Sequence, residues 1–184
     1  MIRISAIQMT STSSPSRNKL LSKLLIEYCA LNNSKIVFFP EATDFIRPFS
    51  DKISDEGKTD DFLQEIQNVS SESNIFTFLG VHRPSNEVKK FFNSYVFLPP
   101  GKNVQREVFY DKINLFDFKT FKESNSTAAG DKIVNVEACG LNIGMSICFD
   151  IRFPYIYSEL RKNGANVLAI PSAFTVETGI SFSS

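Results

Sequence analysis

The segment Lys35-Ile36-Val37-Phe38-Phe39 is apolar at every position after its first and stops at Pro40. A strand with one wet face alternates, so a run with no polar position must be covered on both faces, the pattern of an inner strand in an α/β sheet. The residues before it fit that reading. Ile2, Ile4 and Ala6 form a short first strand, and Ser14-Pro15 offers an N-cap followed by proline at the first helical position. Leu20, Leu21, Leu24, Leu25, Tyr28 and Cys29 recur at helical spacing as far as Asn32-Asn33, which predicts an amphipathic helix with these six on its buried face. Strand, helix and strand in that order make a parallel unit with a right-handed crossover.

Beyond it, the polar stretch from Asp51 to Asp61 reads as a surface loop, and Phe62, Leu63, Ile66 and Val69 mark a second helix. Ile75 to Val81 and Tyr95 to Leu98 read as strands. Pro99-Pro100-Gly101-Lys102 turns the second of these into a hairpin with Gln105 to Tyr110. Ile133 to Val136 and Leu141 to Ile147 make another pair around Cys139-Gly140. Tyr155 to Lys162 is a helix stopped by Asn163-Gly164, before a last strand from Val167 to Ile170. The fold class is α/β.

Composition removes several functions. With 184 residues, 42% of them hydrophobic, the chain is long enough for one ordinary core. Twenty basic residues balance twenty acidic ones, so the electrostatic footprint of a nucleic-acid binder is missing and no nucleic-acid partner is expected. No apolar run approaches the roughly 20 residues that cross a bilayer. The N-terminus reads as a strand and not as a signal peptide, which makes a cytoplasmic location the expectation. Three cysteines at wide spacing, with no CxxC and a single histidine, His82, support neither a disulfide framework nor a metal site. No cofactor is implied.

Cys148 ends the apolar run Gly144-Met145-Ser146-Ile147 and gives way to a loop and a helix. A thiol in that place can lie exposed at the carboxyl edge of a sheet with its pKa lowered by helix dipoles or cations, as a nucleophile requires. A core cysteine at a strand end fits the local pattern too. Glu41 directly follows the apolar run to Phe39, and Lys112 follows Phe109-Tyr110-Asp111. Each alone reads equally as a solvated or ion-paired residue. Together the three strand-end positions supply a base, a cation and a nucleophile.

FFPEATDF, YDKINLFDF and GMSICFDIRFP resemble the three signatures of the nitrilase superfamily of carbon-nitrogen hydrolases, and LAIPSAFTVETG resembles the loop that follows its cysteine. The resemblance implies an α-β-β-α sandwich and an amide hydrolysis through a cysteine thioester. Glu41 is then the base, Cys148 the nucleophile, and Lys112 with the backbone N–H of Phe149 the oxyanion donors. Glu123 matches the second glutamate that orients the lysine, and Ala173, Phe174 and Thr178 match the loop beside the substrate. Glu123 to Thr127 and Pro171 to Phe174 look like the branch acting on deaminated glutathione, with the ω-amidase branch close to it. The implied partner is a small carboxylate-bearing amide, and the family pairs into homo-oligomers. Asn114 and Tyr155 depart from the pattern, standing where relatives have histidine and glutamate. The family pattern also continues past Gly179. On that comparison residues 1–179 form a carbon-nitrogen hydrolase domain incomplete at its C-terminus and 180–184 a divergent tail, which leaves a catalytically silent domain with a binding role as the alternative.

Overall fold

The apolar run forms β2 (Ile36–Phe38), an inner strand that pairs in parallel with β1 (Ile4–Ala6) on one side and β3 (Phe76–Pro84) on the other. The computed structural model describes residues 1–46, 58–101, 107–118 and 121–174. From β3 the sheet continues antiparallel through β4 (Phe91–Leu98) and β5 (Val108–Asp111), the hairpin that the prolines and glycine at 99–101 predicted. Asp117–Phe118 (β6) and Phe121–Lys122 (β7) form a separate two-residue ladder, and Thr127–Ala128 (β8) joins β4 in parallel. A second sheet holds β9 (Asn135–Ala138), β10 (Leu141–Met145) and β11 (Val167–Ala169), with β10 in the middle. Cys139 and Gly140 turn β9 into β10 with φ of 53° and 77°.

Four layers result. Helices α1 (Pro15–Leu31) and α2 (Lys58–Glu72) cover the outer face of the first sheet, where Ile26, Cys29, Phe62, Leu63, Ile66 and Val69 meet Val37, Leu79, Val81 and Val96. Between the sheets, Ile36, Phe78, Tyr95, Phe97 and Tyr110 pack on Val136, Ile143, Met145 and Ala169, with Phe38 stacked on Phe78 at 4.6 Å. Helix α3 (Pro154–Lys162) lays Ile156 and Leu160 on the outer face of the second sheet. This is the α-β-β-α order. Among the described residues no helix is long and apolar enough to cross a membrane.

Two local expectations need correction. Helix α2 begins at Lys58, so the last part of the supposed loop from Asp51 to Asp61 is helical, with Asp60 and Asp61 in the first turn where carboxylates favour the helix dipole. Residues 51–57 lie outside the described ones. Helix α1 has the predicted Ser14 cap and Pro15, but it is rotated. Its buried residues are Asn18, Ser22, Ile26 and Cys29, whereas Leu20, Leu21, Leu24 and Tyr28 are exposed. Polar anchors decide this. The Asn18 amide donates to Thr12 O at 2.8 Å and Asp44 O at 2.9 Å and accepts from Thr12 N at 3.0 Å, while Lys19 and Lys23 pair with Asp61 and Glu65 of α2. A buried amide with those partners cannot turn outward without losing them.

Candidate active site

Glu41, Lys112, Cys148 and Ala173 each follow the carboxyl end of a strand, and their side-chain and backbone contacts bring them to one place. Glu41 leaves β2 in a turn whose next residue, Ala42, has φ of 54°. That turn lies directly on β3 because position 80 has no side chain: a Cβ there would come within 2.5 Å of Ala42 N and 2.7 Å of Glu41 Cα. Gly80 O accepts the N–H of Thr43 at 2.8 Å, and the Asp44 carboxylate takes the backbone N–H of His82 at 2.7 Å and lies 3.0 Å from His82 Nδ1. The single histidine therefore ties down the loop that carries Glu41.

Lys112 follows β5 and is buried, its side chain 3% exposed. Its Nζ donates to Glu41 Oε1 at 3.2 Å and to Glu123 Oε2 at 2.9 Å. Burial works against the ammonium charge, but Glu41 and Glu123 outweigh it and hold the lysine protonated well above its ordinary range. Glu123 lies in a 3-10 turn, Glu123–Asn125, and also accepts the Phe116 N–H at 2.7 Å.

Cys148 opens a 3-10 turn, Cys148–Arg152, with φ of 46°. A β-carbon-bearing residue in left-handed backbone carries strain, and such positions concentrate where a side chain has to be aimed. The Cys148 N–H donates to Pro171 O at 2.8 Å, fixing the turn to the segment after β11. Its thiol lies near enough to the Glu41 carboxylate and the Lys112 ammonium for both charges to act on it. Here the structure corrects the expectation of a lowered pKa. Burial, and after it the charge of Glu41, outweigh the opposing pull of Lys112 and hold the thiol up at about 11. The cation is present, but it is shared with two carboxylates. The resting group is a thiol.

The remaining expected residues are placed unevenly. Phe149 N–H lies in the first turn of the 3-10 segment, where backbone donors have no partner within the helix, and its ring packs edge-on against Phe116 and Phe153 at 5.0 and 5.5 Å. Ala173 meets Glu41 directly, its N–H donating to Oε2 at 2.9 Å. Phe174 is 57% exposed, and Thr178 lies outside the described residues. The departing pair, Asn114 and Tyr155, touch each other at 3.4 Å beside Asp150, whose buried carboxylate accepts Asn114 N and Nδ2, both at 2.9 Å. Among the described residues no cluster of three or more His, Cys, Asp or Glu is arranged to hold a metal ion.

One participant was not anticipated. Asn93, on β4, donates from Nδ2 to Glu41 Oε1 at 2.8 Å and to Glu123 Oε1 at 3.1 Å. Its signal was a polar pair, Asn93-Ser94, interrupting the otherwise apolar strand Phe91–Leu98.

A carboxylate and a thiol side by side, with an ammonium beside both, form an arrangement able to deprotonate sulfur and stabilise an oxyanion in one place. Known proteins with related sequences align with nearly the whole of this chain. The chain is 37% identical over 183 residues to the probable hydrolase nit2 of Schizosaccharomyces pombe, covering 94% of this chain and 65% of that protein. To the deaminated glutathione amidase of Synechocystis it is 30% identical over 185 residues, covering 95% and 67%. It therefore spans about two thirds of the length of these relatives. The structure of the Caenorhabditis elegans NitFhit protein superposes with a TM-score of 0.85 at 28% identity, over 97% of this chain and 45% of that one. The carbon-nitrogen hydrolase family model matches residues 3–181, and with the sandwich and its strand-end cluster in hand, the chain belongs to that family, within the nitrilase superfamily.

Proposed function

We propose that this chain carries the reaction centre of an amidase that hydrolyses a small carboxylate-bearing amide, deaminated glutathione first, to the acid and ammonia through a cysteine thioester. The observation that carries the reading is the convergence of Glu41, Lys112, Glu123 and Cys148 on one buried cluster. With the thiol pushed up to about 11, the protonated form dominates at neutral pH, so the proton has to leave as sulfur attacks. Glu41 takes it. Sulfur bonds to the amide carbon, and the carbonyl electrons move onto oxygen, where Lys112 and the Phe149 N–H meet the developing charge. The oxyanion collapses, the C–N bond breaks, and Glu41 returns the proton to the departing ammonia. Water, deprotonated by the same carboxylate, then cleaves the thioester to acid and free thiol. Glu123 keeps Lys112 charged and aimed.

The substrate assignment draws on the likeness to the deaminated glutathione amidase, with ketoglutaramate, the ω-amidase substrate, as the competing amide. The test is ammonia release from each amide by the chain, with Cys148→Ala as the blank. A thioester mass adduct on Cys148 during turnover is expected, as is a higher kcat/KM for deaminated glutathione. Ammonia release undiminished in Cys148→Ala would remove the mechanism, and preference for ketoglutaramate would move the substrate.

A further inference from the structure

We propose that Asn93 is a positioning residue of this site, its side-chain amide holding the Glu41 carboxylate at the angle from which it takes the Cys148 proton. The inference rests on Glu41 acting as the base. Asn93 is 7% exposed and stands opposite His82 across the β3–β4 ladder. Its backbone carbonyl accepts the Lys112 N–H at 2.9 Å, so one residue contacts the base by its side chain and the lysine by its main chain. Both groups facing its side chain are carboxylate oxygens, which only accept, so the amide must present its NH₂ to them. Its Oδ1 is thereby left buried with no hydrogen-bond partner among the described residues.

That orphaned acceptor costs stability. An apolar residue would avoid the cost, and what the amide supplies in return is two donors placed between two carboxylates. The need for them follows from charge. Glu41 and Glu123 share one ammonium, so the cluster holds more negative than positive charge away from water. A second cation beside Glu41 would make the carboxylate a poorer proton acceptor, whereas a neutral donor offsets desolvation and leaves the charges unchanged. The bonds also divide the carboxylate. Asn93 and Lys112 hold Oε1, Ala173 N–H holds Oε2, and three donors from three separate segments fix the plane of the group. When Lys112 turns toward a forming oxyanion, Asn93 is the donor that stays on Oε1.

The experiment compares wild type, Asn93→Ala and the isosteric Asn93→Asp in amide turnover across pH, with thermal melts to check folding. Removing a donor from an ionised carboxylate lets it bind protons more readily, so the acid limb of kcat/KM should move to higher pH by about half a pH unit or more in Asn93→Ala. In the same variant kcat should fall by about 10- to 100-fold while KM changes little. Asn93→Asp, which keeps the shape but adds a third carboxylate, should move the limb further. Wild-type kinetics in Asn93→Ala, or a uniform loss in both variants with the acid limb unmoved, would overturn the role. Absence of turnover in the wild-type chain would instead sink the amidase reading and this inference with it.

Discussion

The Tyr110 hydroxyl donates to Asp150 Oδ2 at 2.6 Å, joining β5 of the first sheet to the turn that carries Cys148. Asp150 is fully buried and accepts four hydrogen bonds. Oδ2 also takes the Ile147 N–H at 3.0 Å, and Oδ1 takes the backbone and side-chain donors of Asn114. Tyr110 and Asn114 flank Lys112, and Ile147 precedes Cys148, so one carboxylate sets the spacing of the lysine and the thiol. Burial raises the Tyr110 hydroxyl far above its usual range, the Asp150 charge adds to this, and the phenol stays a donor at every working pH.

Asp150→Ala should therefore destabilise the fold and misplace the site together. Leaving buried donors without their charged acceptor costs about 1–3 kcal/mol each, so a loss of about 3 kcal/mol or more is expected in urea unfolding. A loss under about 1 kcal/mol would mean that water replaces the carboxylate and that the bridge is incidental.

Gly80→Ala should act on Glu41 without touching its side chain. The added carbon would meet backbone atoms of Glu41 and Ala42 at 2.5–2.8 Å, and backbone cannot swing aside as a side-chain tip can. A shift of about 1 Å in the base is enough to cost ~10²-fold in kcat. Amide turnover measured beside a thermal melt checks this, and unchanged kcat would show that the turn after β2 yields without moving the carboxylate.

What the sequence revealed follows from where the information lies. The apolar run to Phe39 marked an inner strand because no polar position interrupted it, and the glycines and prolines at the turns placed the hairpins. β6, β7 and β8 were missed because two residues hold no period. The rotation of α1 was misread because it is set by Asn18 bonding to Thr12 and Asp44, partners that periodicity does not register. Glu41, Lys112 and Cys148 were visible as charged or nucleophilic residues closing strands. Asn93 was not, since the polar pair Asn93-Ser94 marks a break in an apolar strand without naming the groups it faces.

The rotation of α1 is testable by paired substitutions. Ile26 is fully buried, and Ile26→Ala should cost about 2–5 kcal/mol in urea unfolding. Leu24 is 54% exposed, so Leu24→Ser should stay within about 0.5 kcal/mol of wild type. A larger loss at Leu24 than at Ile26 would restore the leucine stripe to the core.

The last prediction separates a thiol that is activated by a base from one that is already ionised. Burial, then the charge of Glu41, raise Cys148 to about 11, so its ionisation, followed by thiolate absorbance or by the pH dependence of iodoacetamide labelling, should have its midpoint far above an ordinary thiol. The sign for stability follows. A proton held more tightly in the folded chain than in the unfolded one contributes stability that is complete below the ordinary thiol value near 9 and is lost as pH rises through about 11. In Glu41→Gln the charge beside the sulfur disappears, so the midpoint should fall while Lys112 remains to favour the thiolate. Amide turnover should nonetheless collapse by about 10²-fold or more, because a neutral amide cannot accept the proton or return it to ammonia. An enzyme that gains thiolate and loses activity in the same variant depends on Glu41 as a base. If Glu41→Gln raised the midpoint, or kept wild-type turnover, the pairing of Glu41 with Cys148 would have to be assigned to structure alone.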